Sequence, residues 1–195
     1  QQKGFDDTRG TLFFDIAEII MLKQPKAFFL ENVSGIFSHN DGKTFSRIKS
    51  VLTEELKYSF KEYKVKASNY GLPQFRPRLF MIGFKNPKLF IDEPVKQDLL
   101  FNMSNVMKGD AERDIGYTLR CGGRASGIDD RRNWDSYRVD NEVRQLTPDE
   151  GKMMQGFPVN FQFPVSDAQA MIQLGNSVAV NAVQAFASEV IKKII

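Results

Sequence analysis

Three places in the chain carry side chains suited to chemistry on a polar ligand. The first is Glu31-Asn32-Val33, directly after the apolar run Ala27-Phe28-Phe29-Leu30. Such a run reads as a strand buried on both faces, the mark of a parallel sheet. Open α/β sheets bind ligands at the carboxyl ends of their strands. A carboxylate there can hydrogen-bond a ligand, although a Glu-Asn pair also serves as a simple loop anchor. The second place is Pro73-Gln74-Phe75-Arg76-Pro77-Arg78. Alternate residues of an extended segment project to one side, so Gln74, Arg76 and Arg78 read as a polar comb stiffened by two prolines. Guanidinium forks match phosphate and carbonyl oxygens. The bland alternative is a solvated loop face. The third place is Gly175-Asn176-Ser177-Val178, which reads as a glycine before a helix N-cap. Free N–H groups at a helix start suit a carboxylate.

The elements that must hold these residues follow from the apolar spacing. Residues 4–10 read as a loop. Leu12, Phe13, Ile16, Ile19 and Ile20 recur at helical spacing over residues 11–23, with Thr11 as N-cap and Pro25 as terminator. Residues 42–55 read as a helix with Phe45, Ile48, Val51 and Leu52 on one face. Residues 58–67 alternate as a strand, and residues 79–84 form a second, buried strand. The two make a hairpin with the arginine comb near its tip. Residues 85–143 show little helical periodicity and many turn signals, and read as a small domain of strands and loops. Thr147 and Glu150 form a capping box with Pro148 in the first helical position. A last helix starts near Ser177 or Val178.

Composition narrows the class. The 195 residues carry 27 Lys and Arg against 24 Asp and Glu, a net charge of +3. That balance permits a nucleic-acid partner and makes any binding face a matter of local clustering. One cysteine excludes an internal disulfide, and one histidine beside it argues against a zinc site. No apolar run reaches the roughly 20 residues of a membrane span. His39 sits in a polar loop and reads as a surface residue. The first residue is Gln1, which suggests a fragment or a processed product.

Taken in order, Glu31-Asn32-Val33, the Gln74-x-Arg76-x-Arg78 comb, the stretch from Arg144-Gln145-Leu146-Thr147-Pro148 to Gln155-Gly156-Phe157-Pro158, and Gly175-Asn176-Ser177-Val178 resemble the cytosine-5 DNA methyltransferases. The resemblance covers nearly the whole chain. It implies an α/β fold: the C-terminal part of a Rossmann-like S-adenosylmethionine-dependent methyltransferase sheet, with a small, mostly strand-and-loop target-recognition domain. Residues 1–84 would belong to the catalytic domain, 85–143 to target recognition, and 144–195 would return to the catalytic domain. The implied activity is methyl transfer to carbon 5 of a cytosine flipped out of double-stranded DNA, in a restriction-modification setting.

The resemblance also assigns roles. Glu31 hydrogen-bonds N3 and the exocyclic amine of the cytosine, making carbon 6 electron-poor enough to accept a thiolate, with Asn32 in support. Arg78 reaches the flipped base and its phosphate, Arg76 gives a further backbone contact, and Gln74 joins the DNA-facing comb. Leu12, Asn176, Ser177 and Val178 approach S-adenosylmethionine. Thr118, Arg120, Gly122, Gly123 and Arg124 form the loop that reads base edges, the glycines allowing close approach and the arginines reading guanine. The stretch from Arg144 organises the recognition domain, with Phe157-Pro158 buried.

One absence stands out. The resembled family carries its cofactor glycine loop and a Pro-Cys nucleophile upstream of Glu-Asn-Val. Here 30 residues precede Glu31 and none is a cysteine. Cys121, in the recognition segment, is not expected to replace it. The chain is therefore expected to be inactive alone, needing an N-terminal portion or a partner subunit. A split methyltransferase subunit and a non-catalytic DNA-binding module are the alternatives. Its expected location is the bacterial cytoplasm, on the nucleoid. An exposed sheet edge would favour self-association.

Overall fold

The computed structural model describes residues 8–122 and 126–195, and side chains from Leu12 onward. Along it run α1 (Thr8–Lys23), β1 (Ala27–Val33), a 3-10 turn (Ser34–Phe37) and α2 (Lys43–Ser50), which continues into a π turn (Val51–Glu55). Then come β2 (Lys61–Lys66), β3 (Pro77–Phe84), α3 (Met103–Met107), β4 (Ser136–Val139), β5 (Glu142–Gln145), α4 (Pro148–Gln155), α5 (Asp167–Asn176) and α6 (Val180–Ile194). Two compact units result. The first holds the residues up to Val65, Arg78–Pro94 and Ala187–Ile195; the second holds Lys66–Pro77 and Val95–Phe186. Among the described residues no helix is long and apolar enough to cross a membrane.

In the first unit, Phe13, Ile16 and Ile20 of α1 pack on a core of Phe28, Ile36, Ile48, Leu52, Tyr58, Leu79 and Met81. The helix starts at Thr8, so Thr11 lies inside it and is not its N-cap. It ends where Gln24 turns left-handed (φ 46°) and donates its N–H to the Ile20 carbonyl at 2.9 Å. Pro25 follows, and the Tyr58 hydroxyl closes on its carbonyl at 2.7 Å. A second stripe of α1, Leu12, Ile19 and Leu22, stays exposed.

The sheet order is β1-β3-β2, and β1 pairs antiparallel with β3. Two expectations are corrected here. The apolar run of β1 does not make a parallel pair in this sheet, and only Phe28 within it is buried, because β1 lies at the sheet's edge. The strand buried along its length is β3, in the middle, from Leu79 to Phe84. Gly83 is required there: a Cβ would lie 2.1 Å from the Ser59 carbonyl oxygen and 2.4 Å from the Phe28 ring.

The second unit has its own core of Met103, Val106, Met107, Leu119, Trp134, Tyr137, Leu146, Met154, Met171 and Leu174. Long loops dominate residues 85–143, with the short helix α3 capped reciprocally by Asn102 and Asn105. The capping box of Thr147 and Glu150 forms as the spacing requires, with Pro148 opening α4. Arg144 ties β5 to that helix, 2.8 Å from Glu150, and also donates to the Met107 carbonyl. Phe157 is half-buried and Pro158 is exposed, so the expected burial of that pair is corrected. Helix α5 goes beyond what the spacing predicts. It is short, and its apolar side, Ala170, Met171 and Leu174, is legible only once the core is known.

Candidate functional site

Strand register brings Glu31 and Arg78 together. Glu31 stands opposite Phe80 and Val33 opposite Arg78, so all four side chains share one face of the β1–β3 ladder. A diagonal pair on such a ladder is within reach of long side chains. The Arg78 Nε donates to Glu31 Oε1 at 2.7 Å, with side chains 15% and 30% exposed. The pair is thus fixed yet open to a ligand. Behind it on the same face, the rings of Phe29 and Phe80 meet edge to face at 4.9 Å. Asn32 points to the opposite face, and its side-chain oxygen accepts the Val33 N–H at 2.8 Å. It shapes the strand end that presents Glu31.

Gln74 and Arg76 do a different job from the one their spacing suggests. Both are buried within the second unit, 0% and 2% exposed. The solvent-facing comb is corrected: only Phe75, between them, is exposed, with the Lys66 ammonium 4.9 Å from its ring centre. Arg76 donates to the carbonyls of Leu119 (3.1 Å), Gly175 (3.1 Å) and Ser177. Gln74 accepts the Leu119 N–H at 3.0 Å and donates to the Met154 carbonyl and to Gln155 Oε1. Gln155 closes the ring by donating to the Leu174 carbonyl at 2.8 Å and to the Ser177 hydroxyl at 3.0 Å. A buried guanidinium is tolerable because both of its terminal nitrogens find carbonyls.

This ring grips the segment around Leu119 from inside. Leu119 is held through both its N–H and its carbonyl. Trp134 donates to the Gly122 carbonyl at 3.0 Å, and Tyr137 receives the Tyr117 N–H at 2.8 Å. A Cβ on Gly175 would sit 2.3 Å from the Arg120 carbonyl carbon, so only glycine lets the two backbones touch. Leu119 is buried, Thr118 is half-exposed, and Arg120, Cys121 and Gly122 are exposed. Gly123 and Arg124 lie outside the described residues. Arg113 stacks on Tyr117 at 4.0 Å, and Arg132 is paired with Asp130 at 2.7 Å. His39, expected at the surface, is half-buried, its ring bonded to Thr44 at 2.7 Å.

The Gly175-Asn176-Ser177 turn is the end of α5 and not the start of a helix, which corrects the N-cap reading. Ser177 donates its hydroxyl to the Leu174 carbonyl at 2.8 Å. Its hydroxyl and carbonyl are therefore committed to the buried ring, whereas Asn176 is exposed and Val178 half-exposed. Leu12 is exposed on α1. Gln155 is the residue that motif reading underrates. A glutamine in the last turn of a capped helix carries no local signal, and only the packing of α4 on α5 shows its role.

The family model for C-5 cytosine-specific DNA methylases matches residues 1–117 and 100–192. The chain is 35% identical to the Type II methyltransferase M.HpaII of Haemophilus parainfluenzae, covering 98% of this chain and 67% of that protein. It is 37% identical to M.SsoII of Shigella sonnei, covering 97% of this chain and 59% of that protein. The chain thus spans about three fifths to two thirds of these relatives. Among solved structures, an Entamoeba histolytica methyltransferase superposes with a TM-score of 0.71 at 17% identity, over 97% of this chain and 71% of that one. A putative DNA modification methyltransferase from an E. coli prophage gives 0.69 at 21% identity, over 94% and 75%. At those identities the likeness is one of fold, and it agrees with the α/β methyltransferase class implied by the motifs.

Proposed function

The chain belongs to the C-5 cytosine-specific DNA methylase family, and from that premise we propose that it supplies the base-holding and DNA-reading part of a double-stranded DNA cytosine-5 methyltransferase of a restriction-modification system. The observation that carries the reading is the Glu31–Arg78 pair, a carboxylate fixed by a guanidinium at 2.7 Å at the open end of a strand. Glu31 hydrogen-bonds N3 and the exocyclic amine of the flipped cytosine, which draws electron density from the ring. Carbon 6 then accepts a thiolate that comes from outside this chain. The methyl group goes to carbon 5, the carbon 5 proton leaves, and the thiolate is eliminated. Arg78 orients the Glu31 carboxylate and approaches the base and its phosphate.

In this reading Thr118, Arg120 and Gly122, with Gly123 and Arg124, meet base edges. Gln74 and Arg76 act from beneath by holding that segment in place, since burial keeps both from DNA. S-adenosylmethionine supplies the methyl group when bound. Asn176 and Val178 fit such a ligand because they are accessible, while Ser177 contributes through the fold; Leu12 is accessible on α1. Residues 85–143 serve target recognition. The exposed α1 stripe of Leu12, Ile19 and Leu22, with the β1 edge, suits either the remaining length of the relatives, a partner subunit, or a second copy of the chain. Soluble enzymes of this kind act on DNA in the cytoplasm.

The test is single-turnover methylation of duplex DNA by this chain combined with the segment that supplies the thiol. Glu31→Gln should keep duplex affinity and lose the chemical step. A normal single-turnover rate in Glu31→Gln would overturn the reading.

A further inference from the structure

The net charge of the chain is not evenly spread. Lysines and arginines equal acids in the second unit, so the excess of +3 resides in the first. Within that unit a cleft of about 430 Å³ is lined by Lys26, Lys85, Asn86, Leu89, Lys193 and Ile194, with no carboxylate side chain among them. All three lysines are exposed. Ladder geometry brings two of them together: Lys85 donates its N–H to the Lys26 carbonyl at 3.0 Å, one step beyond the Ala27–Phe84 pair. Lys26 Nζ donates to the Ile194 carbonyl at 3.0 Å, which fixes the ammonium and leaves two protons for a ligand.

A lysine near a helix C-terminus is ordinarily explained by the helix dipole. That covers Lys193, in the last turn of α6, and Lys23, in the last turn of α1. It also covers Lys26, whose Nζ meets the Ile194 carbonyl that ends α6, but not Lys85, at the end of β3. The one acid of α6, Glu189, is engaged by Lys192 at 2.6 Å. The cleft lies beside the start of β1 and the end of β3, whereas Glu31 and Arg78 lie at the other ends of those strands. Five strand steps separate Lys26 from Glu31, about 17 Å at roughly 3.3 Å per residue.

We propose that this cleft is a second, sequence-independent site for duplex DNA, in which Lys26, Lys85 and Lys193 take phosphodiester oxygens. The proposal rests on the reading that the protein acts on duplex DNA. A duplex carries about one charge per 1.7 Å of axis, so a cleft this size meets several phosphates. A protein that grips DNA at both ends of its sheet can hold two duplex segments at once. It can then pass from one to the other without a free intermediate.

The test measures binding of the 195-residue chain to a mixed-sequence duplex across a salt series. Lys26→Gln/Lys85→Gln should lower the slope of log K against log salt by about 1.8, near 0.9 for each phosphate no longer neutralised. The same fall should appear on every duplex sequence. The charge-matched Lys43→Gln/Lys49→Gln control, on α2, should keep the slope. Dissociation from labelled duplex should speed up with added competitor duplex in the unaltered chain and not in the cleft variant. Both lysines are exposed, so an unchanged melt confirms that the variant folds. An unchanged slope, an equal fall in the control, or saturation of the cleft by inorganic phosphate without any effect on duplex binding would overturn the proposal. These outcomes are independent of the Glu31→Gln rate, which tests the reading on which it rests.

Discussion

Glu31 and Arg78 face one another diagonally across an antiparallel ladder, Oε1 to Nε at 2.7 Å, each on a different strand of the same sheet face. Removing either member has a different consequence. Glu31→Gln keeps the shape and loses the carboxyl group proposed to engage N3, so single-turnover methylation in the reconstituted enzyme should fall severely at unchanged duplex affinity. Arg78→Ala removes the partner that orients Glu31 and a group proposed to reach phosphate, so both rate and affinity should fall. Gel shift and single-turnover assays separate the two.

Arg76→Lys should be costly although it conserves charge. One ammonium cannot span the carbonyls of Leu119, Gly175 and Ser177 in the geometry of a guanidinium fork. Leaving a buried carbonyl unpaired costs about 1–3 kcal/mol, so chemical denaturation should show a clear loss of stability. Arg120→Ala, at an exposed position, should leave the melt unchanged and relax discrimination at one base position by about 1–3 kcal/mol. Equal melts for the two variants would contradict this division.

Gly175→Ala should disturb the Leu119–Gly122 segment through steric pressure alone. Its Cβ would lie 2.3 Å from the Arg120 carbonyl carbon, where backbone must move. Such overpacking costs about 1–3 kcal/mol. The expected signature is a lower melting temperature together with a shift in Trp134 fluorescence, because that indole is bonded to Gly122. An unaltered emission spectrum would show that the segment does not depend on this close approach.

Alkaline pH should weaken the first unit through Tyr63. Its hydroxyl donates to the Ile91 carbonyl at 2.7 Å. Burial, then the charges of Asp92, Glu93 and Glu62, push its pKa up to about 12. The unfolded phenol titrates near 10, so the neutral form is favoured by folding. That stability is fully present below about pH 10 and is lost as pH rises toward about 12. Tyrosinate absorbance should lag behind that of a free phenol, and Tyr63→Phe should reduce the alkaline loss.

The 195-residue chain by itself should transfer no methyl group to DNA. Its one thiol, Cys121, is exposed beside Leu119 and Arg120. Labelled-methyl transfer to mixed-sequence duplex should stay at background, and Cys121→Ser should leave the activity of the reconstituted enzyme unchanged. Carbon 5 methylation by the purified chain would refute this.

Some of this protein can be read from its residues in order. The Thr147-Pro148-Glu150 cap and the helix broken at Pro25 depend on neighbours a few places apart, so local physics decides them, whereas Glu31, expected just after the strand, lies within β1, which runs on to Val33. The family is likewise legible, because four short motifs keep their order. Which face each motif residue occupies is decided only by tertiary structure. Spacing puts Gln74, Arg76 and Arg78 on one side of an extended segment. Burial within the second unit instead assigns the first two to the backbone of Leu119 and Gly175, 43 to 99 residues away. The partner of Glu31 is set by ladder register, and Ser177 ends a helix because α5 packs on α4. A hydrogen bond between distant segments leaves no periodic trace in the sequence, so the fold alone separates the residues that can touch a ligand from those that hold them in place.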